Sequence, residues 1–428
     1  MSTNTANRHS INFAYRFAAR EPAFDAYPWK SRNGGGLPWE GFEKAAWLHH
    51  TTGTPLTWMV DTVALQQAGR RLRQFADVFG DDVVLWLDVF ARQPFYEQLG
   101  ITQRTFGLRN YTRDELVTLI RGSRDLAADV LGRDVRIGAG FWWNADVLHA
   151  ARAAGLDALW GLCWDQKGID GATHRGSPWF PYYASPDDFK APVRSREDGL
   201  LLLPWYRADL GNAFLYDDHP PFTTHTGELT RWNSTWPANY VRALLGQGAD
   251  EAKRSPFAFT EFFTGCECLD TSGIFHDEEM CPSSEIWANQ KACILGGMAA
   301  EFGNVVQLHA FTDWHLANRP ETTRHELHWR DPFGKLPDLR FAAGTDALTV
   351  TCPGPRSGDA GARNDVLVAR QSYASGCLGE ASPGFLDRAS ARNALAPDAC
   401  LPAVLARRLA MKMGREENLL VAGVACEC

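Results

Sequence analysis

Short apolar runs rich in β-branched and aromatic residues alternate with stretches whose apolar positions recur every three or four residues, as far as about residue 315. The runs predict strands over 11–17, 55–61, 82–88, 135–141, 158–163, 199–205, 256–262 and 304–311. Helical spacing predicts a helix over 62–79. A second opens at Thr112, where Glu115 three residues on completes a capping box. A third is capped by Asn144 or Asp146 and stops at Gly155, and a fourth covers 284–301. Regular strand–helix alternation is the signature of an α/β fold, a parallel sheet or barrel of βα units. Near 330–340 the pattern changes. DPFGKLPDL reads as a connector, followed by short strands (348–352, 365–369, 419–424), a helix near 401–413 and a Gly/Pro/Ser/Asp-rich loop at 353–364. The expected organisation is a catalytic barrel over 1–332 and a small α+β or β-rich accessory domain over 333–428.

Composition narrows the function classes. A chain of 428 residues can bury one large core and a smaller one. A net charge of −8, with no Lys/Arg cluster, argues against a nucleic-acid surface. The start, MSTNTANRHS, lacks the basic and apolar regions of an export signal, and no apolar run approaches the ~20 residues of a membrane span. Ten cysteines without such a signal read as reduced thiols, and a cytoplasmic protein is expected. No G-x-G-x-x-G follows a strand and no Walker A motif occurs, so no cofactor is expected. The expected partner is a small-molecule or oligosaccharide substrate, with neither nucleic acid nor membrane involved. Oligomeric state is not readable.

All sixteen tryptophans lie between Trp29 and Trp329. Many stand beside a polar group at the end of an apolar run: Trp58 near Asp61, Trp86 near Asp88, Trp164 next to Asp165, Trp205 near Asp209, Trp314 next to Asp313. An indole offers a flat apolar face while its neighbour supplies hydrogen bonds or a proton, which suits a sugar ring. Core filling is the alternative for any single one of them.

Parallel barrels carry their chemistry where strands end and βα loops begin. The predicted strand ends supply Arg16, Asp61, Asp88, Trp142, Trp143, Asn144, Asp165, Gln166, Asp209, Glu261, His309 and Asp313. Asp61, Asp209 and Asp313 read equally well as helix caps or loop ion pairs. The segment LWGLCWDQKGIDGATHRGSPWFPYY is the densest: a buried strand runs into Asp165 and Gln166, then a Gly-punctuated loop presents Asp170. Cys266, Cys268, His276 and Cys281 follow Glu261, but their spacing matches no common structural zinc site, and no metal is expected. His49 and His50 read as surface histidines.

The run EKAAWLHHTTGTPLTWMVD, then DVVLWLDVF, YTRDEL and GFWWNADVLHAARAAGLDALWGLCWDQ, resembles the polysaccharide deacetylase superfamily. Glycoside hydrolases of families 38 and 57 share that (β/α)7 barrel. The likeness covers roughly residues 10–315 in element order. The chain also resembles an uncharacterised bacterial branch with a D-Q-x-G-x-D-G loop and an aromatic P-Y-Y segment. The resemblance implies a carbohydrate-active enzyme, yet the family's ligand positions are changed. Where deacetylases carry F-D-D on strand one and H-x-x-x-H after strand three, this chain has Phe17, Ala18 and Ala19, then Trp86 and Phe90. Where family 57 places its nucleophile, it has Trp143, Asn144 and Ala145.

These readings converge on a glycoside hydrolase without a metal. Cleavage of a glycosidic bond needs two carboxyl groups across it, one of them protonated. Asp165 is the first candidate, Glu261 the second and Asp88 the substitute for either. Arg16, Gln166, Asp170, Asp209 and His309 would orient hydroxyls, and Asp61, Asn144 and Asp313 are further substrate-binding candidates. Trp58, Trp86, Trp142, Trp143 and Trp205 would stack on the sugar. The alternatives are a non-hydrolytic sugar enzyme (a lyase or isomerase), in which His309 and Asp313 would weigh more, and a carbohydrate-binding barrel without catalysis.

Overall fold

A computed structural model describes residues 9–21, 36–104, 108–140, 145–162, 181–187, 192–204, 235–253, 258–265 and 299–320, together with five strands between 325 and 423. The chain folds as an α/β barrel-type sheet. Its parallel strands are β1 (Ser10–Phe17), β2 (Thr57–Val60), β3 (Asp82–Trp86), β4 (Ile137–Ala139), β5 (Ala158–Leu162), β8 (Leu200–Pro204) and β9 (Phe259–Thr264), in the order β9-β1-β2-β3-β4-β5-β8. Two short antiparallel strands, β6 (Tyr182–Ala184) and β7 (Pro192–Val193), extend the β8 edge.

The strands bury both faces. On β1, Ile11, Phe13, Tyr15 and Phe17 pack against helices, while Ala14 and Ala18 face the concave side. That inner cluster draws Met59 from β2, Val84 and Trp86 from β3, Ile137 and Ala139 from β4, Trp160 from β5, Leu201 and Leu203 from β8, and Phe259 and Phe263 from β9. Seven strands feeding one cluster is what a curled sheet produces, because side chains alternate between faces with period two.

The outer layer includes α1 (Trp39–Thr51), α2 (Thr62–Phe79), α4 (Arg113–Leu131) and α5 (Ala145–Ala153), with α3 (Pro94–Gln98) a single turn in the loop after β3. Helix α2 covers the predicted span and ends at Gly80 in the left-handed conformation. The capping box of α4 forms from both sides: Glu115 N–H donates to Thr112 Oγ1, and Thr112 N–H donates to the Glu115 carboxylate. Helix α6 (Thr235–Ala252) precedes β9, and α7 (Ala299–Phe302) follows it.

Two expected strands differ. The 256–262 strand runs as Phe259–Thr264, so Glu261 is its third residue rather than its end. The 304–311 strand is only β10 (Asn304–Val305), after which α8 (Leu308–Asn318) begins. Leu308, Phe311, Thr312 and His315 are buried at helical spacing, and tertiary packing of that face overrides the strand-like run before it.

The second sheet is antiparallel, in the order β11 (His325–Trp329), β12 (Leu339–Ala343), β13 (Ala347–Cys352), β14 (Asn364–Arg370) and β15 (Ala422–Gly423). β11 and β12 flank the stretch that reads as a connector. The helix predicted at 401–413 and most of that predicted at 284–301 lie outside the described residues. Among the described residues no helix is long and apolar enough to cross a membrane.

Candidate functional site at the carboxyl ends of the strands

The two ends of the sheet differ in chemistry. At the amino ends of β3 and β4, α8 is tied down by a polar network. The His309 backbone N–H donates to Asp82 Oδ2 (2.9 Å) and its ring Nδ1 lies 2.7 Å from Asp82 Oδ1. Ring Nε2 accepts from the Arg136 N–H at 3.0 Å, which assigns the other nitrogen as donor. Arg136 pairs with Asp313 at 2.7 Å and also with Asp157, which pairs in turn with Arg196. His309 and Asp313 therefore close the barrel floor. Their expected place at the carboxyl end of a strand is corrected, because the segment that carries them is a helix lying across the opposite end.

The other end gathers the strand-end groups of β1, β2 and β3. Arg16 is 4 % exposed and faces the concave side with Ala14 and Ala18. Its guanidinium carbon lies 4.7 Å from the Trp86 ring, 4.8 Å from Phe90 and 5.7 Å from Phe263. Arg20, just past β1, lies 5.7 Å from the same Phe90 ring. Each such cation–ring contact contributes about 0.5–2 kcal/mol, toward the upper figure when water is excluded. Asp88, also buried, lies two residues beyond Trp86, and its backbone carbonyl accepts the Trp86 indole N–H.

This placement corrects two stacking assignments. Trp86 has its ring against Arg16, Phe90 and Phe263, so it helps to floor the mouth and presents no free face. Trp58 is fully buried on the outer face of β2, among Tyr15, Phe42 and Phe75. Its indole N–H donates to Asp81 Oδ2 at 2.7 Å. Trp58 is a core residue: strand alternation sends it outward and Met59 inward.

Asp61 ends β2 and caps α2, its Oδ1 accepting from Ala64 N–H at 2.8 Å. Its Oδ2 accepts from Ala19 N–H and from Gln93 Nε2, both at 3.0 Å. Burial pushes its carboxyl up to about 6, against these hydrogen bonds, which favour the charged form. Three protein donors occupy the carboxylate, and its contact with Ala64 is the helix cap that the sequence also allowed. Glu261, 2 % exposed, stands level with Asn12 in the β9–β1 register and faces inward with Phe259 and Phe263. Asn12 in turn donates to Val306 O and Thr57 Oγ1, so Glu261 belongs to the lower half of the barrel. That corrects its expected position at a strand end.

Asp165, Gln166, Asp170, Trp142, Trp143, Asn144, Trp205 and Asp209 lie outside the described residues, as do Cys266, Cys268, His276 and Cys281. The strand leading to Asp165 is described. β5 carries a register shift between Trp160 and Leu162, with Gly161 at φ 110°. A Cβ there would fall 1.8 Å from Gly140 O, so only glycine fits this bulge.

Phe90, Phe263, Arg20 and Gln93 carry parts of this end that sequence reasoning missed. Gln93 gives no local signal. The rings could have been found by following inward-facing positions past each strand. His49 and His50 are not surface residues: His49 is buried and bonds Tyr15 OH at 2.8 Å, and His50 bonds Asp81 at 3.0 Å.

A metal of the deacetylase type does not fit. Ala18, Ala19, Trp86 and Phe90 have no side-chain donor for a metal, and the Arg16 guanidinium already lies against the two rings. Among the described residues no three His, Cys, Asp or Glu side chains come together as a metal site.

An α/β barrel with buried Arg16, Asp61 and Asp88 at the carboxyl ends of β1–β3 is the class that this geometry defines. A family model described as a domain of unknown function with solved structure (DUF3863) matches residues 44–214. No curated protein matches the chain. In fold, the chain is similar to a "putative glycoside hydrolase/deacetylase" from Parabacteroides distasonis, with a TM-score of 0.59 at 13% identity, over 85% of each chain. A "putative polysaccharide deacetylase" from Mycobacterium smegmatis matches with a TM-score of 0.43 at 12% identity, covering 75% of this chain and 96% of its own. The second score is too low to bear on the fold.

Proposed function

We propose that this protein is a carbohydrate-active hydrolase, a glycosidase that cleaves its substrate at the carboxyl-end mouth of the barrel without a metal. The observation that carries the reading is the asymmetry of the barrel. Helix α8 and the Asp82–His309–Arg136–Asp313 network close one end. The buried Arg16, Asp61 and Asp88 collect at the other. The description of the Parabacteroides distasonis protein as a "putative glycoside hydrolase/deacetylase" agrees with such a substrate class.

Two carboxyls are required across the scissile bond, one as acid and one as nucleophile or base. With Glu261 in mid-strand, we pair Asp88 with Asp165 as the candidate carboxyls. Proton transfer by the acid follows from whichever carboxyl remains protonated, and the other attacks the anomeric carbon or activates water. The aromatic and polar sequence from Asp165 to Trp179 would supply groups to hold the sugar. A lyase or isomerase reading loses support, since His309 and Asp313 sit at the closed end.

The test is sugar release from a panel of oligosaccharides and 4-nitrophenyl glycosides by the wild type and by Asp88→Asn, Asp165→Asn and Glu261→Gln. The reading expects the first two substitutions to lower kcat by at least about 1,000-fold and Glu261→Gln to leave it within about tenfold. Full loss in Glu261→Gln with activity kept in Asp88→Asn would reverse the assignment. Binding of sugars without turnover by the wild type would replace the enzyme with a carbohydrate-binding barrel.

A further inference from the structure

We propose that Asp61 and Gln93 form a clasp that fixes three adjacent βα loops at the mouth, making Asp61 a positioning residue for the reaction. The inference rests on the reading of the mouth as the reaction site. A helix cap alone requires one carboxylate oxygen, and Oδ1 supplies it to Ala64 N–H. The second oxygen does something else. It takes one donor from the loop after β1, Ala19 N–H, and one from the loop after β3, Gln93 Nε2.

Gln93 is fully buried and every one of its polar groups is used. Its Oε1 accepts from Thr62 Oγ1 at 2.5 Å and from Val63 N–H at 3.3 Å, binding it to the start of α2. Its Nε2 also donates to Ala91 O at 3.2 Å. Its own backbone N–H donates to Gln103 Oε1 at 2.6 Å, and Gln103 Nε2 returns to Ala91 O at 2.8 Å. The loops held this way meet each other directly. Arg20 and Phe90 form an isolated parallel bridge, and Glu21 N–H donates to Phe90 O at 2.9 Å.

The clasped segments are those that carry Arg20, Asp88 and Phe90, and they flank Arg16. A shift of about 1 Å in such groups is enough to lower turnover by about 100-fold. Asp61 reaches that outcome without touching substrate, since its oxygens are taken by protein donors. It acts through Ala19 and Gln93.

Asp61→Asn separates capping from clasping. Asparagine caps a helix about as well as aspartate, so its single oxygen can keep Ala64. Its amide would then face the Ala19 N–H and the Gln93 NH2, donor against donor. Gln93→Ala removes the clasp from the other side and leaves the cap intact, so the pair guards against a variant that fails to fold. Both are read by amide hydrogen exchange over residues 18–21, 62–66 and 88–93, and by kcat and KM on the glycoside panel. The proposal expects protection in 18–21 and 88–93 to fall at least about tenfold, with 64–66 unchanged, while Val63 loses its Gln93 acceptor in Gln93→Ala. It expects kcat to fall by about 100-fold and KM to change by no more than a few-fold. Unchanged exchange in both loops overturns the clasp. Loosened loops with unchanged kcat overturn the positioning role. If the wild type turns over nothing on the panel, the hydrolase reading fails while the exchange data still decide the clasp.

Discussion

Replacing Trp58 with phenylalanine tests whether this indole belongs to the core or to the substrate. Its N–H donates at 2.7 Å to Asp81, a buried carboxylate that also accepts from Leu56 N–H at 3.1 Å and lies 3.0 Å from His50 Nε2. Removing a hydrogen bond to a buried charged group costs about 1.5–3 kcal/mol. Trimming indole to phenyl beside Tyr15, Phe42 and Phe75 adds roughly 1–2 kcal/mol for lost contacts and the residual void. Trp58→Phe should therefore lose about 2.5–5 kcal/mol, measured by guanidinium unfolding followed by circular dichroism. A double-mutant cycle with Asp81→Asn should return a coupling of about 1–2 kcal/mol. Because the ring sits on the outer face of β2, kcat at room temperature should stay within about twofold. A stability loss under about 0.5 kcal/mol, or a selective loss of turnover, would refute the assignment of Trp58 to the core.

Three further outcomes follow from the geometry. His309→Gln should lower Tm by several degrees through the barrel floor, read by differential scanning calorimetry, while leaving kcat unchanged. Gly161→Ala should destabilise by more than about 2–3 kcal/mol, since φ is 110° and the added Cβ meets Gly140 O; soluble yield and Tm check it. Asp61 gives a pH signature of defined sign. Its carboxyl rises from 3.8 to about 6 on folding, so between those values the folded state holds the extra proton. Its contribution to stability then falls as pH rises through that window, by about 3 kcal/mol in all. The pH dependence of unfolding of wild type minus that of Asp61→Asn should show that slope, and turnover should decline below about pH 6 as the clasp loses an acceptor.

Much of the fold was legible because local signals agreed with packing. The Thr112 and Glu115 pair, the stop at Gly155, and the strand runs around Trp58, Trp86 and Trp160 each marked an element near its observed place. NVVQLHAF misled because Val305 and Val306 have strand-forming side chains, while the spacing of Leu308, Phe311, Thr312 and His315 carried the true period. That one error moved His309 and Asp313 to the wrong end. Trp58 was misassigned because a sequence gives strand alternation but not which alternate faces the helices. Arg16 and Trp86 were legible as candidates, but their contact depends on β1 and β3 lying two strands apart in one curled sheet. Gln93 was beyond reach, since a lone glutamine before a proline has no pattern to mark it.

The central claim is that chemistry occurs at the carboxyl ends of the strands and that the opposite end only closes the barrel. Its most direct test compares kcat for Asp88→Asn and His309→Gln on the same glycoside substrate. The account predicts a loss of at least about 1,000-fold for the first and less than twofold for the second. Full activity in Asp88→Asn together with collapse of kcat in a folded His309→Gln protein would contradict it.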